Sequence, residues 1–162
     1  PRPPWTPPRG AANSPAPRGA RPRRLVALAL TAALYLLAVA FIVFWPVPVD
    51  RPAQDALPRL LESWHAAGVP AWVDYQLIEW LANVVMFLPW GVLGTLLLPR
   101  RRWWVVPFSG LLASAAVESA QYIFLPARFA SSADIVANTA GAVLGFVATA
   151  LVIFCFRRWR KR

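Results

Sequence analysis

Four near-unbroken apolar stretches set the pattern of this chain, at about Leu25 to Trp45, Glu79 to Leu98, Trp104 to Phe124 and Ile135 to Phe156. As helices rising ~1.5 Å per residue, each is long enough to cross a hydrocarbon core of roughly 30 Å. Between the first two, Leu57, Leu60, Leu61 and Trp64 recur at helical spacing, with Asp55, Arg59, Glu62 and His65 on the other faces. That spacing predicts a short amphipathic helix on the outer interface. Gly68 and Pro70 end it, and Trp72 and Tyr75 read as interfacial anchors. The expected architecture is an all-α membrane protein, a bundle of four transmembrane helices with a short interfacial helix in the first extracytoplasmic connection.

The punctuation between the runs supports this division. Residues 1–24 carry eight prolines and six arginines and no aliphatic residue larger than alanine. Such a segment cannot bury enough apolar surface to offset its ordering entropy, and reads as a disordered, basic cytoplasmic tail. The first apolar run is too long for a signal-peptide core and ends in Trp45-Pro46 rather than at a small-residue cleavage site, so it is expected to remain as a span. Pro89 predicts a kink in the second run. The membrane domain is thus expected over 25–156, followed by a short basic tail, 157–162. No internal repeat argues for an inverted-repeat transporter.

Charge orients the bundle. Of seventeen basic residues, fourteen lie in the N-terminal tail, the Arg100–Arg102 turn and the C-terminal tail, against Arg51, Arg59 and Arg128 on the opposite side. All seven acids avoid the basic side. Cationic connections stay cytoplasmic, so both termini are expected inside. A chain of 162 residues that is 58% hydrophobic, with a mean hydropathy of +0.48, excludes an ordinary soluble domain. The net charge of +10 would point to nucleic acid in a soluble protein. Here the basic clusters flank apolar runs, so anionic inner-leaflet lipid is the expected partner and nucleic acid is not. The single cysteine, Cys155, allows no intramolecular disulfide.

Ionisable and amide side chains inside apolar runs are costly in lipid and mark either a structural pair or a function. Glu118 lies about 9 Å and Gln121 about 5 Å below the outer end of the third run, and Asn83 and Asn138 each lie about 6 Å inside theirs. Helical phase places Glu118 with Gln121, Glu79 with Asn83 and Phe87, and Asp134 with Asn138, Gly141 and Gly145. Each polar group is therefore expected to point at the others, with the glycines letting a neighbouring helix approach closely. Arg128 on the short outer connection completes the set: a guanidinium beside two carboxylates either pairs with them or grips a phosphate. The lone His65 reads as a solvated polar face. With no histidine or cysteine cluster, no cofactor is expected, and a carboxylate-bound divalent cation is the one metal chemistry left open.

The ordered set Asn83-Val-Val-Met-Phe87-Leu-Pro89-Trp-Gly91, Glu118-Ser-Ala-Gln121, Arg128 and Asp134-Ile-Val-Ala-Asn138-Thr-Ala-Gly141 with Gly145 resembles the VanZ-like family, over roughly residues 79 to 148. The resemblance implies a small bacterial inner-membrane protein of about four helices, from a family named for a member associated with low-level teicoplanin resistance. It also implies kinship with membrane enzymes acting on lipid head groups. The expected function is therefore an outer-leaflet polar pocket that engages a phosphate-bearing lipid or an undecaprenyl-linked cell-wall precursor, and hydrolyses or exchanges its head group. Glu118 and Asp134 would act as acid–base groups, Arg128 would hold phosphate oxygens, and Asn83, Gln121 and Asn138 would donate hydrogen bonds. A non-catalytic protein that shields such precursors is the rival. A small transporter ranks third, because the cytoplasmic halves of the last three runs are almost purely apolar.

Overall fold

The computed structural model describes residues 20–44, 56–125 and 131–161, and all regular structure among them is helical. Helix α1 spans Ala20–Val43, α2 Ala56–Ala66, α3 Tyr75–Leu97, α4 Val105–Phe124 and α5 Ser132–Trp159, with a single 3₁₀ turn at Arg100–Arg102 between α3 and α4. Three of these, α1, α3 and α5, are long and apolar enough to cross a membrane. At 20 residues α4 has the length of a fourth span. Ser109, Ser114, Glu118, Ser119 and Gln121 hold its hydropathy below that of the other three.

The boundaries follow local chemistry. Helix α1 starts at Ala20, so residues 20–24, which composition assigned to the tail, belong to the first helix. Pro22 is tolerated there because the N–H it lacks has no intrahelical partner in the first turn. The rest of the expected tail, 1–19, lies outside the described residues. Asp74 caps α3, its Oδ1 accepting from the Leu77 N–H at 2.9 Å. Gly68, at φ +96°, makes the turn after α2. His65 Nε2 bonds the Val73 carbonyl at 3.0 Å, so the histidine ties α2 to the chain entering α3 rather than facing solvent unengaged. Helix α5 runs to Trp159 and takes in Arg157 and Arg158, cations that suit the negative end of its dipole.

Packing centres on α3 against α5. The buried face of α3 is Val84, Phe87, Gly91 and Thr95; that of α5 is Ala137, Asn138, Gly141, Ala142 and Gly145. A Cβ on Gly141 would collide with the Val84 carbonyl, on Gly145 with that of Leu88, and on Gly91 with that of Ala142. These glycines bring the two backbones into contact, running parallel, as small-residue stripes do in membranes. Helix α4 lies antiparallel to both: Gly110 faces Ala142, where a Cβ would come within 2.6 Å of the alanine methyl, and Trp90 Nε1 donates to Ser109 Oγ at 3.1 Å. Helix α1 packs on α3, bonded to it by Tyr35, and its less exposed positions Leu28, Ala32, Tyr35, Val39 and Val43 form one helical stripe, of which only Val43 is fully buried.

Candidate functional site

The polar residues singled out from the sequence collect near the amino ends of α3 and α5 and the carboxyl end of α4. Antiparallel register organises them. Asn138 Nδ2 donates to Ser114 Oγ at 3.0 Å, and one turn deeper Gly110 faces Ala142. One turn outward along both helices, Glu118 comes level with Asp134. Two polar rungs, acid with acid and amide with hydroxyl, thus stand on an apolar floor of Phe87, Val84 and Ala142.

The acids sit at the amino end of α5. Ser131 caps that helix, its Oγ accepting from the Ala133 N–H at 3.2 Å, and Glu118 Oε2 accepts the Ser131 N–H at 2.9 Å. Asp134 lies in the first turn, and its Oδ1 accepts from Asn83 Nδ2 at 2.9 Å, which joins α3 to α5. Unsatisfied N–H groups and the positive end of the helix dipole favour carboxylates at such a place. Glu118 is 5% exposed and Asn138 2%. Asn138 Oδ1 is a buried side-chain acceptor that finds no hydrogen-bond partner among the described residues.

Five of the six expected site residues are described, and four of them form this centre: Asn83, Glu118, Asp134 and Asn138. Gln121 departs from the expectation that every polar group points at the others. It is buried in the same layer, but its Nε2 donates to the Val43 carbonyl at 3.0 Å, at the last turn of α1. A helix end exposes carbonyls without intrahelical partners, and Val43 offers one. Arg128 lies outside the described residues. Among the described residues no cluster of histidine, cysteine or acidic side chains has the composition of a metal centre.

Three participants were not singled out from the sequence. Ser114 stands four residues before Glu118, and extending that helical stripe by one turn would have found it. Ser131-Ser-Ala-Asp134 is a capping pattern directly before an apolar run, a legible signal for the α5 start. Tyr35 gave no signal, because its partner is a backbone group: its hydroxyl donates to the Met86 carbonyl at 2.9 Å, beside Pro89.

Residues 32–154 match the family model described as VanZ/LLP1. Neither a curated protein nor a solved structure gives a match.

Proposed function

Because the chain belongs to the VanZ/LLP1 family, we propose that it is a multi-pass membrane protein whose polar centre receives the phosphate-bearing head group of a lipid or an undecaprenyl-linked precursor. The observation that carries this reading is the acid rung: two carboxylates, Glu118 and Asp134, lodged at the amino end of α5 among helices otherwise built for lipid. Helix α4 serves as the fourth span on this reading, its polar face turned inward and its apolar face, with Leu111 and Leu112, turned outward. Helix α2 lies on the outer interface with Leu60 and Trp64 toward the lipid. The Arg100–Arg102 turn and the basic end of α5 lie in the cytoplasmic leaflet, facing anionic lipid.

The chemistry follows from the residues. A guanidinium suits phosphate oxygens, and Arg128 is the cation that the sequence offers on the connection between α4 and α5. Glu118 takes a proton from water as the water oxygen bonds to phosphorus. The bond from phosphorus to the leaving oxygen breaks, and Asp134, oriented by Asn83 and entering the cycle protonated, gives that oxygen its proton and regains one from solvent, to which Glu118 releases the proton it took. Asn138 and Ser114 supply the polar rung beneath. The expected physiological consequence is lowered teicoplanin susceptibility.

A second reading has its own support. Glu118 already serves as a cap for α5 and Asp134 already bonds Asn83, so both acids have structural work that a non-catalytic binding protein would need. Turnover of defined undecaprenyl-linked phosphates by the purified protein separates the two. Hydrolysis is expected to fall at least a hundredfold in Glu118→Gln, in line with loss of a general base worth ~10²–10⁴. Equal rates in both proteins would remove the catalytic role, whereas retention of lipid without turnover by either would favour shielding.

A further inference from the structure

We propose that α1 is a hinged wall of the polar centre, latched by Gln121, and that a lipid phosphate opens it by taking over the Gln121 amide. This inference rests on the head-group reading above and names the route by which a ligand carried in the bilayer reaches the acids.

Helix α1 is held unlike the others. Its candidate span is 6% buried, against 22% for α3 and 17% for α5. No glycine brings its backbone against a neighbour, whereas α3 and α5 touch backbone to backbone. In lipid an apolar helix face gains little by leaving acyl chains for another helix, so polar contacts weigh more in holding it. Tyr35 and Gln121 supply polar contacts between α1 and the bundle. Tyr35 donates to the Met86 carbonyl at mid-height, and Gln121 donates to the Val43 carbonyl at the outer end.

The latch stands beside the site. Gln121 follows Glu118 by three residues on the same face of α4, and both are buried. Val43, the most buried of the described α1 residues at 3% exposure, offers its carbonyl to that position. A phosphate oxygen carries more negative charge than a peptide carbonyl and makes a stronger acceptor. A head group arriving at the acid rung therefore competes with Val43 for the same N–H. Exchange frees the outer end of α1, while Tyr35, beside Pro89 of α3, remains as the pivot. Binding and opening are then coupled, and each favours the other.

The test uses the full chain with Cys155→Ala in maltoside micelles, with spin labels at Phe41 near the latched end of α1 and at Leu112 on α4, 60% and 54% exposed. Farnesyl phosphate is the probe and inorganic phosphate the comparison, with retention of radiolabelled probe measured in parallel. In the unloaded wild type a narrow inter-label distance is expected, and farnesyl phosphate should populate a longer one. Gln121→Met, close in volume but without a donor, should raise the longer-distance population roughly three- to tenfold without probe, the worth of one hydrogen bond. Probe should then add no further shift. Tyr35→Phe, remote from the acids, should also raise that population and supplies the comparison if Gln121→Met does not fold. Unchanged narrow distances in both variants, or a wild type that retains probe without any shift, would overturn the wall. Longer distances in the variants with no probe retained would support the latch and sink the head-group reading instead. A response to inorganic phosphate equal to that for farnesyl phosphate would overturn the lipid route.

Discussion

At the scale of single residues, burial separates side chains that look alike in the sequence. Ser114 and Ser119 are five apart on α4, yet Ser114 is fully buried against Asn138 while Ser119 bonds only its own helix at Ala115. Ser114→Ala leaves the Asn138 amide without a partner and is expected to cost about 1–2 kcal/mol, whereas Ser119→Ala should stay within roughly 0.5 kcal/mol. Resistance to denaturant-driven unfolding in mixed micelles measures the difference, and equal losses would mean that the Ser114 bond does not form. Gln121 and Tyr35 make the complementary point. Gln121 was legible as a polar residue in an apolar run and Tyr35 was not singled out, but the partners of both are main-chain carbonyls, and every residue carries one. No side-chain pattern announces such a pairing.

At the scale of elements, the glycines decide which helices meet. Gly141 and Gly145, four apart on α5, receive the backbone of α3 at Val84 and Leu88. Gly94 differs, since a Cβ there would meet the methyls of Val106 at 3.1 Å and 3.2 Å, side-chain atoms with some room to yield. Gly141→Ala must push two backbones apart and is expected to cost about 1–3 kcal/mol, with Gly94→Ala clearly milder. Thermal retention of folded protein in detergent ranks them; the reverse order would refute the close α3–α5 contact. The glycine stripe and its small-residue reading were present in the sequence. Its partner helix was not, because a gap between helices has no signature on the helix that fills it.

At the scale of the whole molecule, charge and apolar length act together. The Arg100–Arg102 turn and the Arg157, Arg158, Arg160 and Lys161 end of α5 are all exposed, while α2, the Ser131 cap and the acids belong to the opposite end of the helices. With Cys155 removed, a cysteine at Arg101 should react with an impermeant maleimide only from the cytoplasmic face, and one at Arg59 only from the outside. Labelling of Arg59→Cys from the cytoplasm would invert the proposed orientation and place the acids in the wrong leaflet.

The sequence by itself determined the helical class, the four long helices to within a few residues, the amphipathic α2 and the polar residues that apolar runs cannot hold without reason. These are local properties: a 3.6-residue period, a run length measured against a bilayer and a count of arginines. Only the tertiary structure decided that Glu118 stands at the capped end of α5, that Asn138 spends its amide on Ser114, and that Gln121 spends its own on the Val43 carbonyl of α1. Those outcomes depend on the register between helices. Register is set by where backbones can approach, and that is a property of two surfaces at once, which no single stretch of chain contains.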